Sequence, residues 1–332
     1  MEMALNHLDS YQLENDFLAL EVLNYGGVIK CLELKLAGNK KQALVMGLPS
    51  PEAYLSDIWY LGACIGPYAG RIKGKEGVEL HGGKHAFSKQ YWTLIDQQAG
   101  DTPSLTLSLD FKIAAPSQNK NDSQSSNSIR VQLTYRLIKN RLKIEYSAQS
   151  TAPSLLNLSN HSYFILDSEK TIDHYTLQIK ALEVIETDAL LMPTGLLVPI
   201  EKTNIDFNNP RRIGKTRLDT PFVVARAATA SHASNSPNAS QVPIAPNAPS
   251  DGTLKQLAYL HSKITDISMS VATDQEVLVC FMPIDFAGIC FETQGYPNAP
   301  QHPAFTQPII SPNKPYLQIT TFEFSHPSLS VL

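Results

Sequence analysis

The sequence predicts an all-β chain, folded as a large antiparallel sandwich or barrel. Apolar and polar residues alternate over long stretches, turn-forming residues separate those stretches, and no long amphipathic helix interrupts them.

Taken in order, residues 17–23 and 28–36 read as two strands flanking Tyr25-Gly26-Gly27, where glycine supplies the positive φ of a hairpin turn at little steric cost. Ser50-Pro51-Glu52-Ala53-Tyr54-Leu55 offers a cap residue and a proline at the first helical position, which predicts one short helical turn. Leu105, Leu107, Leu109, Phe111 and Ile113 then alternate with Thr106, Ser108, Asp110 and Lys112. Ile129, Val131, Leu133, Tyr135 and Leu137 repeat the pattern, which resumes after Lys139-Asn140 at Leu142, Ile144 and Tyr146. Period-2 alternation marks strands with one buried face, and Lys139-Asn140 is the turn between two of them. Residues 316–324, rich in Thr, Ile and Phe, form a C-terminal strand.

Two stretches break the pattern. Residues 116–127 are mostly Ser, Asn and Gln, and residues 227–252 are mostly Ala, Ser, Asn and Pro. Neither can bury enough apolar surface to offset its ordering entropy, so both are expected to be mobile surface loops. The strand patterns on either side of the second need a shared sheet, which favours one domain over residues 1–332.

Composition narrows the function. Twenty-seven basic residues against 31 acidic ones give a formal charge of -4, with no basic field for nucleic acid or an anionic membrane. No apolar run is long enough to span a bilayer. Cys31, Cys64, Cys280 and Cys290 form no Cys-x-x-Cys pair and sit in apolar runs, which suits buried free thiols. With no basic-then-apolar leader pattern at Met1-Glu2-Met3-Ala4-Leu5, a reducing cytoplasm is the expected location.

The chemistry-bearing residues lie far apart in the chain. Asn160-His161-Ser162-Tyr163-Phe164 offers an imidazole, and Phe291-Glu292-Thr293-Gln294-Gly295-Tyr296-Pro297 offers a carboxylate at the end of an apolar run. Leu80-His81-Gly82-Gly83 adds a second imidazole on a glycine-rich turn. Arg71, in Gly66-Pro67-Tyr68-Ala69-Gly70-Arg71-Ile72, is a fixed cation with a planar donor fork. Asp219, before Thr220-Pro221, could accept hydrogen bonds from a diol. Each also suits a plain structural role: a hydrogen-bonded histidine, a salt-bridged strand end, a turn or a surface arginine. His81 and His85 are four apart, a metal spacing only on a helix, and the surrounding glycines oppose a helix. Asp206-Phe207 reads as a turn.

Together these segments resemble the aldose 1-epimerases, also called galactose mutarotases. The likeness runs from Tyr25-Gly26-Gly27-Val28-Ile29 through Gly62-Ala63-Cys64-Ile65-Gly66, Leu80-His81-Gly82-Gly83, Asn160-His161-Ser162-Tyr163-Phe164, Pro193-Thr194-Gly195, Ile205-Asp206-Phe207 and Glu292-Thr293-Gln294 to Phe322-Glu323-Phe324. It implies a β-supersandwich with an open sugar cleft and interconversion of the α and β anomers of a free aldose. It also implies Glu292 as the base at the C1 hydroxyl and His161 as the acid at the ring oxygen. His81, Arg71 and Asp219 would bind the sugar, with no cofactor or metal and a small-molecule sugar as the partner, the protein being a monomer or homodimer.

Three departures bear on specificity. Gly70 stands where the family usually has Asn, and Leu278 where a Gln commonly meets the sugar; the segment between Arg71 and His81 is short and lacks most of a strand pair. The two lost amides predict weaker binding of galactose or glucose, or a different aldose. Two alternatives stay in view. A sugar phosphate would call on Lys73, Lys75 and Lys84. A non-catalytic sugar-binding or regulatory module could dispense with Glu292 or His161.

Overall fold

The computed structural model describes residues 7–74, 77–113, 127–224 and 254–331. Three antiparallel sheets dominate. A four-stranded N-terminal sheet runs Ser10–Glu14, Leu18–Leu23, Ile29–Leu36, Lys40–Ala43 in chain order. A nine-stranded sheet has Tyr316–Ser325 near its middle, between Arg141–Ser150 and Ser268–Thr273. A six-stranded sheet runs Tyr163–Phe164, Ile289–Gln294, Val277–Phe281, Asp219–Val224, Ala181–Thr187, Pro193–Pro199.

The alternation explains the long strands. Along Asn127–Ile138, Ile129, Val131, Leu133, Tyr135 and Leu137 are all fully buried, while the residues between them are at least partly exposed. Lys139 takes φ 52° in the turn that leads into Arg141–Ser150. Residues 17–23 and 28–36 form the expected hairpin, with Leu20 paired to Leu32. Pro51–Ser56 is a 3-10 turn, and helix among the described residues is confined to such short turns. The 227–252 loop lies outside the described residues, as does 116–126, while Asn127 already belongs to a strand.

One apolar core joins the sheets. Phe164 and Phe291 from the six-stranded sheet meet Phe322 and Phe324 from the nine-stranded one, the Phe164 and Phe322 ring centroids lying 4.6 Å apart. The N-terminal sheet contributes Leu18, Leu20 and Leu32 to the same core. Burial of these aromatic and aliphatic side chains, each contributing roughly 1.5–3 kcal/mol, holds the sheets face to face.

That packing corrects the expectation for Leu278. Leu278 and Cys280 are fully buried in the core, whereas Val279 pairs with Glu292 and lines the cleft. Successive side chains on a strand point to opposite faces, so position 278 cannot meet a sugar bound beside Glu292. A one-residue shift in the assignment reverses the face. The Arg71–His81 segment also differs from expectation. A strand pair is present, Arg71–Gly74 against Gly77–Leu80, with Arg71 opposite Leu80.

Leu278→Gln therefore buries an amide in an apolar core, where an unsatisfied polar group costs about 1–3 kcal/mol before lost packing is counted. Urea unfolding should show a marked loss of stability for Leu278→Gln and little change for Val279→Gln. Equal stabilities would place 278 at the cleft.

Candidate active site

The site forms where three segments converge on the Ile289–Gln294 strand. Cys290, Glu292 and Gln294 share the face of that strand opposite Ile289 and Phe291, which enter the core. Cys290 pairs with Tyr163, which brings the segment carrying His161 alongside. His161 is anchored through its main chain, its N–H donating to Ala63 O (2.9 Å) and its carbonyl accepting from Gly62 N–H (3.1 Å). The result is a close pair: His161 Nε2 lies 3.5 Å from Glu292 Oε1, with both side chains nearly fully buried. Glu292 Oε2 has no hydrogen-bond partner among the described residues.

The Arg71–Leu80 hairpin delivers two more groups. Just beyond its paired ends, His81 N–H donates to Gly70 O (3.1 Å) and Gly70 N–H donates to His81 Nδ1 (3.2 Å). These two hydrogen bonds between residues 70 and 81 set Arg71 and His81 side by side at the cleft. Gly70 has φ 78°, and a Cβ there would stand 2.9 Å from Pro297 Cβ, so an asparagine at 70 would meet both backbone strain and Pro297. Gly82 has φ 91°, and a Cβ there would fall 2.3 Å from Gly66 O, so the turn after His81 depends on glycine. The His81 and His161 rings meet edge to face at 5.4 Å, and Tyr60 packs against both.

Asp219 opens the strand on the far side of Val277–Phe281 from Glu292, and its Oδ2 lies 3.9 Å from Arg71 Nη1. A pair this long and partly exposed is weak, and both partners can turn toward a ligand. The structure therefore brings Arg71, His81, Asp219 and Glu292 to the lining of one cleft of about 450 Å³, with His161 against Glu292. Leu80, Thr187, Leu191, Pro193, Val279 and Pro297 are also among its walls. His85 is exposed on the turn and does not join His81; Asp206 accepts the Asn208 N–H in a local turn (3.0 Å).

His81, His161 and Glu292 each place a ligand-type atom within 4.8 Å of the others. The donor set opposes a metal there. Gly70 N–H occupies the lone pair of His81 Nδ1, so the neutral ring carries its proton on Nε2 and has no free lone pair. His81 thus presents an N–H donor, suited to a sugar oxygen.

The aldose 1-epimerase family model matches residues 9–323. The chain belongs to the aldose 1-epimerase family. Its relatives include the galactose mutarotases of Homo sapiens and Rattus norvegicus, 26% and 27% identical over 355 residues, with 96% of this chain and 94% of each relative covered. The aldose 1-epimerase of Escherichia coli K12 is 24% identical over 344 residues, covering 93% of both chains. Among solved structures, an aldose epimerase homologue from C. elegans superposes with a TM-score of 0.77 at 21% identity, covering 96% of this chain and 99% of that one. A galactose 1-epimerase from Lactobacillus acidophilus NCFM gives 0.73 at 20% identity, covering 98% and 97%. The two structures show a shared fold, and the family is one of isomerases acting on small sugars. No helix among the described residues is long and apolar enough to cross a membrane.

In this epimerase burial dominates the electrostatics of the pair. It pushes the Glu292 carboxyl up to about 8, with Asp219 adding to the rise and Arg71 opposing it. It pushes the His161 imidazole down to about 4, against a contact with its own main-chain carbonyl. His81 is held well below the usual range by burial, then by His161 and Arg71. Burial also raises Asp219, and Arg71 opposes it. Desolvation disfavours charge on both members of the pair, so together they hold one proton around neutrality, on Glu292.

Sequence reading missed Cys290, treated only as a buried thiol, although its Sγ stands 3.5 Å from His161 Nδ1. Its position two residues before Glu292 on a strand was the available signal. Val279 was missed for the reason given above.

The raised carboxyl has a consequence for stability. A group whose folded pKa exceeds its unfolded value stabilises the fold while protonated, and that contribution is lost as pH rises from the ordinary 4.5 through about 8. Glu292→Gln keeps the shape and cannot ionise. Its unfolding free energy, from urea titration, should match that of the wild type below the ordinary carboxylate range and exceed it increasingly toward pH 8, by a few kcal/mol at most at about 1.4 kcal/mol per pKa unit. A wild type that gains stability over the variant across that interval would contradict the assignment.

Proposed function

We propose that this epimerase interconverts the α and β anomers of a free aldose by acid–base ring opening, with Glu292 as base and His161 as acid. The observation that carries the reading is the 3.5 Å approach of His161 Nε2 to Glu292 Oε1 at a cleft lined by Arg71, His81 and Asp219.

The proton count closes within the pair. The proton that rests on Glu292 crosses to His161 Nε2 as a sugar enters, with Arg71 favouring the carboxylate. Glu292 then takes the proton of the C1 hydroxyl. The C1–O5 bond breaks, its electron pair goes to the ring oxygen, and O5 takes the proton from His161 Nε2. An aldehyde remains, and rotation about C1–C2 exposes its other face. Closure reverses both transfers. Ring opening returns the pair to neutral imidazole and protonated carboxyl, the state that burial favours. Desolvation therefore assists the opening step, and each positioned group contributes on the order of 10²–10⁴ in rate.

His81 donates from Nε2, Arg71 donates through its fork, and Asp219 accepts, so the three read neighbouring hydroxyls or the ring oxygen. The apolar walls take the C–H faces of the sugar. The lining favours a free sugar over a sugar phosphate: Arg71 is accompanied by Asp219 and Glu292, and no lysine among the described residues lines this cleft. Lys73 and Lys84 are exposed, and Lys75 lies outside the described residues. Retention of both Glu292 and His161 in contact favours catalysis over a binding module.

Polarimetry on freshly dissolved aldoses, with chelator present, should show accelerated mutarotation of a free sugar. Glu292→Gln and His161→Asn should each lower kcat by roughly 10² or more while remaining folded. Near-native turnover in either folded variant would overturn the role given to that residue, and activity confined to phosphorylated sugars would favour the phosphate reading.

The pH profile follows from the single proton. The pair loses it as pH rises through about 8 and gains a second as pH falls through about 4. After subtraction of the spontaneous rate, kcat/KM should be level between these limits and fall outside both. An acid limb near neutrality would contradict a neutral resting imidazole.

A further inference from the structure

The Ile289–Gln294 strand meets His161 at both ring nitrogens. Glu292 Oε1 stands 3.5 Å from Nε2, and Cys290 Sγ stands 3.5 Å from Nδ1. The two side chains are two residues apart on one face of the strand, and both are buried. A second approach fixes the direction of the sulfur contact. Cys290 Sγ lies 3.9 Å from the His161 main-chain carbonyl oxygen, a direction in which the thiol can only donate. With its hydrogen turned there, the sulfur presents a lone pair to Nδ1. The sulfur is thus the acceptor at Nδ1, and the proton of the neutral ring belongs there.

We propose that Cys290 is a positioning residue. By accepting from His161 Nδ1–H, its sulfur fixes the imidazole tautomer in which Nε2 is bare and faces Glu292. The inference rests on the acid–base reading above, because only this tautomer lets one proton pass directly between Oε1 and Nε2. In the other tautomer Nε2 already holds a proton, and Glu292 has no accessible site on the ring to protonate. The device is the common one of orienting a catalytic histidine through its second nitrogen, with a thiol in place of a carboxylate. Burial and the Glu292 charge push the Cys290 thiol well above its usual range, so it serves as a neutral partner. A carboxylate at this place would draw a second charge into the buried site and hold the imidazole positively charged; sulfur selects the tautomer and leaves the ring neutral.

Ring nitrogen-15 spectra of His161, assigned with His161→Asn, test this without reference to activity. The wild type should show Nδ1 protonated and Nε2 bare around neutrality. Cys290→Val fills nearly the same space without an acceptor and should give a mixture of tautomers. Its kcat should fall about tenfold or more, the lower end of what losing a histidine-orienting partner costs, with KM unchanged. Cys290→Ser restores an acceptor and should recover the tautomer and most of kcat. A wild-type spectrum with Nε2 protonated would overturn the proposal, as would a folded Cys290→Val with native tautomer and kcat. Where the valine variant fails to fold, the wild-type spectrum alone decides. Full activity of Glu292→Gln would instead sink the catalytic reading and leave the tautomer result standing.

Discussion

The site depends on burying an acid and a base against each other where neither is comfortable as an ion. Glu292 and His161 are both nearly inaccessible, and Glu292 Oε2 has no partner among the described residues. A buried carboxyl without compensating hydrogen bonds takes up a proton, and a buried imidazole gives one up. The pair is left with a single proton that can sit on either member over a short path. That is the inventory anomer exchange requires: one group to take a proton from the sugar, another to return one, and no net change after a full cycle.

The fold supplies the burial and the access separately. The six-stranded sheet turns Ile289 and Phe291 into the core and Cys290 and Glu292 toward the cleft, so the strand that closes the core also carries the carboxyl that we propose as the base. Access comes from the other side, where a short hairpin ends in paired hydrogen bonds between Gly70 and His81. Those bonds fix the His81 tautomer as a donor and place Arg71 next to it. Gly70 is tied to this arrangement by its positive φ and the closeness of Pro297, which gives a structural reason for the absent amide. The main chain orients one histidine and, in our proposal, a thiol orients the other.

Much of the architecture was legible because most long strands have one wet face. Ile129 to Leu137 could be read by alternation, and the turns at Gly26-Gly27 and Lys139-Asn140 followed from residue type. The site residues were legible as a set, through the family resemblance, and Arg71, His81, His161, Asp219 and Glu292 do converge. Alternation failed where both faces are covered. Val277–Phe281 and Ile289–Gln294 are apolar on the core side and mostly enclosed on the site side, so their sequence gives no face assignment. The family resemblance alone puts Leu278 at the sugar, where the strand turns Val279 to the cleft, and an apolar run marks Cys290 only as a buried free thiol. The resemblance gives only a short Arg71–His81 segment lacking most of a strand pair, whereas Arg71–Gly74 pairs with Gly77–Leu80.

The protonation state of Glu292 tests the central claim most directly. Infrared difference spectra between the wild type and Glu292→Gln isolate its carbonyl stretch from those of the other carboxyl groups. A protonated-acid band present around neutrality and lost as pH rises through about 8 is the predicted result. A carboxylate band that persists down to the ordinary range near 4.5 would show that the pair does not share a proton in the way its burial demands.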